Sequence, residues 1–215
     1  MSRRLILLRH GQTGYNSVRR MQGQLDTELN ALGEDQARAA ARALVGARVT
    51  KIVSSDLMRA RRTAEIVASE LGLEISLDPR LRETHLGQWQ GRTHEEVDSL
   101  HQGIRAHWRN NAAWAPPAGE SRLDVARRAR PVVDELVESY ERWEGNTVLI
   151  VAHGGTISAL TSNLLGLEER QYPLLKGLKN SNTSQLTALP RYGSDRSDPT
   201  DVQWYLDAWN QGAGQ

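Results

Sequence analysis

Short apolar runs that alternate with helical segments constrain the fold of this chain more than any other feature of its sequence. The runs Leu5–Leu8, Ile52–Val53 and Thr147–Ala152 have the length and the continuous apolar character of buried parallel strands. Helical patterns separate and follow them, over Asn30–Val45, Leu57–Leu71 and Thr156–Leu165. This order predicts an α/β fold of three layers, α/β/α, with a mostly parallel central sheet.

Capping residues mark where several of the predicted helices begin and end. Gly72 is a natural left-handed cap after the second helix, and Thr93 with Glu96 forms a capping-box pattern that starts a helix through Leu100. Ser121 opens a long helix that is predicted to reach about Trp143. Two further strands are predicted near the end of the chain, Thr183–Leu189 and Val202–Leu206. A turn-rich loop at 190–200 connects them, and the residues at 212–215 are expected to be frayed.

Composition limits the classes of partner and of chemistry. A chain of 215 residues suits a single domain spanning 1–215, and a formal net charge of +1 does not favour nucleic acid or a membrane surface as partner. No apolar run approaches the roughly 18 residues that cross a bilayer, and the run after Arg4 is too short for a signal peptide, so we expect a cytoplasmic protein. Cysteine is absent, which leaves no disulfide, thiolate nucleophile or cysteine-ligated zinc. The segment at about 87–120, rich in Trp, Pro and Gly, is interpreted as an excursion from the core that can form a lid.

Two of the six histidines occur in the same unusual context. His10 follows the first apolar run and precedes Gly11, and His153 follows the run Thr147–Ala152 and precedes Gly154. Because the carboxyl ends of strands line the ligand crevice of open α/β sheets, we expect both imidazoles in one pocket. The alternative, for each residue taken singly, is a strand-end histidine that is only satisfied by hydrogen bonds. The other four follow no such pattern, and they are His85, His94, His101 and His107.

Arginines near these strand ends indicate what the pocket binds. Arg9 abuts His10, and Arg59 begins the helix after the second strand, where backbone N–H groups add partial positive charge. Arg59 and Arg62 share a helix face, so one is expected to bind an anion while the other is solvated. The planar guanidinium matches phosphate oxygens, and the cluster therefore predicts a phosphoryl site. A metal held by His10, His153 and a carboxylate is the weaker alternative, because no carboxylate stands at ligand spacing, and we expect neither metal nor cofactor.

Four segments resemble, in order, the motifs of the histidine phosphatase (phosphoglycerate mutase-like) superfamily. They are the Arg-His-Gly signature at Arg9–Thr13, the second arginine motif at Ser54–Ala64, the acid motif at Leu81–Gly91 and the second histidine motif at Ala152–Gly155. Thr13 stands where the acid phosphatase branch carries arginine, so the chain resembles the mutase-like branch. The resemblance covers nearly the whole chain.

The resemblance implies a role for each motif residue. His10 is implied as the nucleophile that attacks phosphorus in line and forms a phosphohistidine. Glu83 is implied as the acid that protonates the leaving alkoxide and then, as carboxylate, activates water. The implied catalytic residues are His10, Glu83, Arg9, Arg59 and His153. The implied substrate-binding residues are Arg9, Asn16, Gln22, Gly23, Arg59, His153 and Gly154, and the alternative for Asn16, Gln22 and Gly23 is an ordinary polar surface loop.

The resemblance also bears on the choice between phosphatase and mutase. Mutases of this branch carry an insertion with an arginine pair that holds the second end of phosphoglycerate, and the corresponding residues 109–117 lack it. The segments Met21–Leu29, Arg82–Gly91 and Leu206–Asn210 are similar to a subgroup, the actinobacterial glucosyl-3-phosphoglycerate phosphatases. The expected reaction is therefore hydrolysis of glucosyl-3-phosphoglycerate to glucosylglycerate and phosphate. This subgroup acts in methylglucose lipopolysaccharide biosynthesis and related proteins are homodimers, which is implied here too.

Three alternatives remain open at this point. Two are enzymes, a broad-specificity phosphosugar or phosphoglycerate phosphatase and a phosphoglycerate mutase. The third is a protein that binds phosphorylated ligands without turnover, which His10 and Glu83 argue against because a binder needs neither nucleophile nor acid. Trp89, Trp108 and Trp114 can stack on a sugar or simply pack in the core.

Overall fold

A six-stranded sheet runs through the middle of the molecule, in a computed structural model that describes residues 2–193, 198 and 200–212. In chain order its strands are β1 (Arg3–Arg9), β2 (Val49–Ser54), β3 (Ile75–Leu77), β4 (Thr147–Ala152), β5 (Thr183–Pro190) and β6 (Val202–Gln211). The spatial order is β3-β2-β4-β1-β5-β6. The strands β3, β2, β4 and β1 are parallel to one another. At the β1 side of the sheet, β5 is antiparallel to β1, and β6 is antiparallel to β5. The prediction of a mostly parallel sheet is confirmed.

Helices cover both faces of this sheet. They are α1 (Gly14–Ser17), α2 (Ala31–Leu44), α3 (Met58–Leu71), α4 (His94–Leu100), α5 (Ile104–Asn110), α6 (Arg122–Ser139) and α7 (Gly154–Leu164). Side chains alternate across a strand, so β1 contributes to two cores. Leu5 and Leu7 lie in the core that includes α6 and α7, and Ile6 and Leu8 lie in the core that includes α2 and α3. The three-layer α/β/α architecture is confirmed.

Local signals predicted most helix ends well. Gly72 ends α3 in the left-handed conformation with φ of 64°, and Thr93 and Ser121 form the capping boxes of α4 and α6. The end of α6 differs from the prediction. Helix α6 ends at Ser139 and not near Trp143, because the chain turns after it and 3₁₀ geometry covers Glu141–Trp143. The turn is anchored by the Trp143 indole, which donates to the carbonyl of Arg4 over 2.7 Å.

The C-terminal half of the sheet is longer than the sequence pattern indicates. Strand β6 extends to Gln211, beyond the predicted end at Leu206, because it pairs with β5 along its whole length, with register shifts that allow two bulges. The short strand β3 was not predicted, and neither was the 3₁₀ helix Glu169–Leu174. Of the predicted loop at 190–200, residues 191–193, 198 and 200 are described and lie outside any strand or helix. The prediction for 213–215 falls outside the described residues.

The segment 87–120 carries α4, α5 and a small apolar cluster of its own. The cluster joins Trp89 and Val97 to Met21 and Leu86, and Trp108 packs against it. The trio Trp89, Trp108 and Trp114 is in ring contact, with Trp89 in the middle at centroid distances of 5.8 Å and 5.5 Å. The segment is thus an excursion beside the main cores, and its motion as a lid stays a prediction. Within the described residues, no helix has the length and apolar character needed to cross a membrane.

Candidate active site

The carboxyl ends of β1 and β4 bring the two strand-end histidines together. These strands are parallel neighbours with Arg9 in register with Ala152, so the next residue on each is a histidine at the same sheet edge. The ring centroids of His10 and His153 lie 5.1 Å apart, with 60° between the ring planes. Both side chains are buried. Their shared sequence context therefore predicted correctly that the two imidazoles lie together at one edge of the sheet.

A cavity of about 240 Å³ opens at this edge. The residues singled out from the sequence that line it are Arg9, His10, Asn16, Gln22, Gly23, Arg59 and Glu83. Its remaining lining residues are Arg20, Met21, Thr84, Leu86, His94, Trp108 and Gly155. His153 and Gly154 are not among the lining residues. The His153 ring lies against that of His10, and a Cβ built at Gly154 would lie 3.5 Å from Nε of Arg9. Seven of the predicted residues therefore line the cavity, and these two adjoin it.

The surroundings of His10 leave one ring nitrogen free to act as a nucleophile. Nδ1 lies 2.7 Å from the carbonyl oxygen of Gly11, which can only accept, so the ring proton resides on Nδ1 and the lone pair on Nε2. Burial holds the pKa of His10 well below its usual value, and the positive charges of Arg59 and Arg9 lower it further. His10 is therefore a neutral imidazole at physiological pH with its unprotonated nitrogen available.

His153 is held in a similar electrostatic environment. Its Nε2 shares a hydrogen bond of 2.9 Å with the hydroxyl of Ser55, the residue after β2. Its Nδ1 is buried and has no hydrogen-bond partner among the described residues. Burial, followed by the charges of Arg59, His10 and Arg9, lowers the pKa of His153 well below its usual value. A buried polar atom without a partner is uncommon in folded proteins, because it has lost its hydrogen bond to water and gained no other.

Two buried guanidinium groups give the pocket its positive charge. Arg59 donates to the carbonyls of Gly23 and Leu25, at 2.8 Å each, and Arg9 donates to the carbonyl of Leu178. The Nε atoms of both arginines are buried without a partner among the described residues. Burial lowers the pKa of Arg59 to about 10, against the attraction of Glu83, so the group is still charged at neutral pH.

The structure also separates the two arginines that share the face of α3. Arg59 is fully buried at the pocket, whereas Arg62 is largely exposed and pairs with Glu34 over 3.0 Å. Arg59 begins its helix at the carboxyl end of β2, where the pocket lies, and the next turn carries Arg62 outward. Of the pair, Arg59 is therefore the anion-binding candidate and Arg62 the solvated one.

Glu83 lies at the amino end of α7. Its carboxylate accepts hydrogen bonds from the backbone N–H groups of Gly155 and Thr156, at 3.2 Å each, and from that of Thr84 at 2.8 Å. Helix α7 begins at Gly154, two residues earlier than predicted, and this early start supplies those N–H groups. An ideal Cβ at Gly155 would lie 2.5 Å from Oε1 of Glu83, so only glycine permits the carboxylate to approach this closely.

The side-chain amides on the loop after His10 are oriented by their own hydrogen bonds. The side-chain oxygen of Asn16 accepts from Thr13 and Asn180, and that of Gln22 accepts from Thr13 and Thr27. Neither amide nitrogen makes a hydrogen bond to a described residue, so both NH₂ groups remain as donors to the pocket that these side chains line. The loop is therefore an ordered wall of the pocket and not simply a polar surface loop.

Sequence reasoning missed His94 as a lining residue of the pocket and left Trp108 open between stacking on a sugar and packing in the core. His94 is the first residue of α4, and Trp108 belongs to α5. The capping box at Thr93 was visible in the sequence, but nothing local indicates that the helix behind it folds over the pocket. Of the three tryptophans, Trp108 borders the pocket, while Trp89 and Trp114 pack against each other.

The described residues contain no group of three or more His, Cys, Asp or Glu that could hold a metal ion. The pocket instead presents cations and hydrogen-bond donors, with Glu83 as its one lining carboxylate. Such an arrangement suits an oxyanion whose charge is spread over several oxygens.

Comparison with known proteins agrees with this chemistry. The sequence profile of the histidine phosphatase superfamily (branch 1) matches residues 5–194. The glucosyl-3-phosphoglycerate phosphatase of Mycolicibacterium vanbaalenii is 50% identical over 215 residues, which cover 98% of this chain and 96% of that protein. A probable phosphoglycerate mutase of Escherichia fergusonii is 36% identical over 210 residues, covering 95% of this chain and 89% of that protein.

A solved structure shows the same likeness in three dimensions. The mycobacterial glucosyl-3-phosphoglycerate phosphatase in complex with VO₃ superposes with a TM-score of 0.90 at 50% sequence identity. The match covers 98% of this chain and 100% of that chain. With the profile match and the paired strand-end histidines, the chain belongs to the histidine phosphatase superfamily.

Proposed function

We propose that this protein is a phosphatase that hydrolyses glucosyl-3-phosphoglycerate to glucosylglycerate and phosphate through a phosphohistidine intermediate. The observation that carries the proposal is the neutral His10, whose free Nε2 lies in a pocket with two buried guanidinium groups and Glu83. The near-full-length similarity to glucosyl-3-phosphoglycerate phosphatases supports the choice of substrate.

In the first step, His10 attacks the phosphorus atom. A bond forms between Nε2 and phosphorus while the bond from phosphorus to the alkoxide oxygen breaks. Arg9, Arg59 and His153 bind the non-bridging oxygens, where charge is spread in a loose transition state. Because these donors are held by the protein before the substrate arrives, little reorganisation is needed during the reaction. Glu83, in its protonated form, gives its proton to the leaving oxygen, and the alcohol departs.

In the second step, water releases the phosphoryl group. Glu83, now a carboxylate, takes a proton from water as the oxygen attacks phosphorus, and the bond from phosphorus to Nε2 breaks. Inorganic phosphate leaves and His10 returns to its neutral form with the proton still on Nδ1. The carboxylate can play both parts because the backbone N–H groups of Gly155 and Thr156 hold it in one position.

Trapping of the intermediate tests the reaction type. Rapid quenching with ³²P-labelled substrate is expected to give an acid-labile, base-stable phosphoenzyme in the wild-type protein and none in His10→Ala. His101→Gln, a change at an exposed histidine outside the pocket, is the matched control and is expected to trap as the wild type does. A wild-type enzyme that turns over without a phosphoenzyme would contradict the mechanism.

A substrate panel tests the leaving group. We expect kcat/KM to be highest for glucosyl-3-phosphoglycerate, lower for 3-phosphoglycerate and lowest for simple sugar phosphates. Equal kcat/KM values for all of these substrates would contradict the specific substrate and indicate a broad-specificity phosphatase. Formation of 2-phosphoglycerate from 3-phosphoglycerate, with no net release of phosphate, would instead identify a mutase.

The cellular setting is part of the same proposal. We propose that the enzyme works in the cytoplasm as a homodimer, in the synthesis of methylglucose lipopolysaccharides. The support for this setting is the resemblance of the sequence motifs to the glucosyl-3-phosphoglycerate phosphatase subgroup. Light scattering coupled to gel filtration measures the oligomeric state, and a monomeric mass at micromolar concentration would contradict the dimer.

A further inference from the structure

The residues that line the pocket fall into two groups with different chemistry. The first group, around His10 and Arg59, holds the phosphoryl group in the proposed reaction. The second group contains His94 and Trp108, which take no part in that chemistry. The leaving group is the part of the substrate that remains to contact this second group.

Arg122 lies beside the pocket, next to Trp108. It is the first residue of α6, and its guanidinium carbon lies 5.8 Å from the centre of the Trp108 ring, within cation–π range. Burial lowers the pKa of Arg122 and Arg109 repels its charge, while the nearby carboxylate of Glu83 acts in the opposite direction. The guanidinium is therefore half-buried beside Trp108, which lines the pocket, although Arg122 itself is not a lining residue.

Arg122 also differs from the other arginines of its helix in having no anionic partner. Arg127, Arg128 and Arg130 form ion pairs with Asp124, Glu120 and Asp134 at 2.9, 2.8 and 2.6 Å. Arg122 makes no ion pair or hydrogen bond with any described residue. A partly desolvated cation usually has a partner, because burial of an unpaired charge is costly. Its surroundings consequently favour a ligand that brings an anion.

We propose that Arg122, positioned by Trp108, binds the carboxylate of the leaving group and so selects phosphate monoesters of hydroxy acids over those of neutral alcohols. This inference rests on the proposed function, because it assigns the part of the substrate that the phosphoryl-binding residues do not touch. A guanidinium pairs well with a carboxylate through two parallel hydrogen bonds. The anion of the substrate supplies the partner that the protein does not provide.

A matched pair of substrates tests the proposal. 3-Phosphoglycerate carries a carboxylate where glycerol 3-phosphate carries a hydroxymethyl group, and the two are otherwise closely similar. In Arg122→Gln, we expect kcat/KM for 3-phosphoglycerate and glucosyl-3-phosphoglycerate to fall about 10- to 100-fold, the range for loss of a charge-assisted hydrogen bond. The value for glycerol 3-phosphate is expected to change less than about threefold. Arg122→Lys keeps the charge but loses the planar fork. Its kcat/KM for 3-phosphoglycerate is expected to lie between the values of the wild type and of Arg122→Gln.

The controls separate this inference from the proposed function. Arg127→Gln removes an exposed arginine from the same helix and is expected to leave both substrates unaffected. Equal losses of kcat/KM for the two substrates in Arg122→Gln would overturn the inference and indicate a packing role against Trp108. If the wild-type enzyme prefers the carboxylate substrates and Arg122→Gln keeps that preference, the proposed function stands and the inference fails. A wild-type enzyme without any such preference would overturn both.

Discussion

Gly155 determines how closely Glu83 can approach helix α7. Its backbone N–H donates to the Glu83 carboxylate, and an ideal Cβ there would lie 2.5 Å from Oε1 of Glu83 and 2.6 Å from Oγ1 of Thr84. Real Cβ atoms are not found at such distances, so any side chain at this position must displace the carboxylate. The sequence alone did not distinguish this glycine from its neighbour Gly154, where an ideal Cβ finds only ordinary contacts.

For Gly155→Ala we therefore expect kcat to fall about 10- to 100-fold, because small displacements of a catalytic group cost about that much. Steady-state kinetics on the preferred substrate measures the effect. Gly14→Ala is the matched control, since an ideal Cβ at Gly14 meets no other atom within 4 Å. Unchanged kcat in Gly155→Ala would show that Glu83 does not need its observed position.

For Glu83→Gln we expect kcat to fall about 100- to 10,000-fold, the usual contribution of a general acid or base. KM is expected to change little, because the positive groups that bind the phosphoryl oxygens remain in place. Rates measured over a range of substrate concentrations separate the two constants. A large increase in KM with kcat unchanged would contradict the acid role and make Glu83 a binding residue.

At the scale of elements, the amino-terminal ends of helices position the side chains of the site. Helix α7 begins directly after His153 and directs its first N–H groups at Glu83, and α3 begins just before Arg59. Helix α6 begins at Arg122 after the cap Ser121. The caps and glycines that mark these starts are local signals, which is why the sequence predicted the elements within a few residues. It did not predict what each helix start faces, because that depends on how the strands pair.

The cap of α6 offers a test of this local control. Ser121 is buried, accepts from the Asp124 N–H over 3.1 Å and donates to the Asp124 carboxylate over 2.7 Å. For Ser121→Ala we expect the free energy of unfolding to fall by about 1 kcal/mol, measured by urea denaturation. Ser139→Ala, at the other end of the helix, removes an exposed hydroxyl that donates to the Glu135 carbonyl, and it is expected to stay within about 0.5 kcal/mol of the wild type because surface substitutions usually do. A loss no larger than that of the control would show that the cap is dispensable.

At the scale of the whole molecule, the active site makes stability depend on pH. Burial is the main cause that holds the pKa values of His10 and His153 well below 6.5 in the folded state. Below about pH 6.5 the unfolded chain therefore binds protons that the folded chain excludes. The free energy of unfolding must then decrease as the pH falls through this region, and it is fully recovered above it.

Between about pH 7.5 and 5.5, the two histidines together are expected to lower the free energy of unfolding by at most about 3 kcal/mol, the limit set by proton uptake of the unfolded chain. Urea denaturation at several pH values, in buffers without phosphate, measures this slope. The double variant His10→Gln/His153→Gln is expected to lose that part of the slope, whatever its stability at neutral pH. His101→Gln, at an exposed position, is expected to keep the wild-type slope. If the free energy of unfolding of the double variant depends on pH as steeply as that of the wild type, groups other than His10 and His153 cause the pH dependence.

The sequence by itself determined those features of this protein that depend on residues close together in the chain. Apolar runs followed by His and Gly predicted the strands and the paired histidines, while capping residues predicted the helix starts, because these patterns act over a few residues. Only the tertiary structure decided that Gly155 contacts Glu83 and that Arg122 lies beside Trp108 without an ionic partner among the described residues. It also agrees with the family motif in placing Arg59, and not Arg62, at the pocket. These facts depend on how strands and helices distant in sequence pack together. The local pattern of one segment carries no information about such packing.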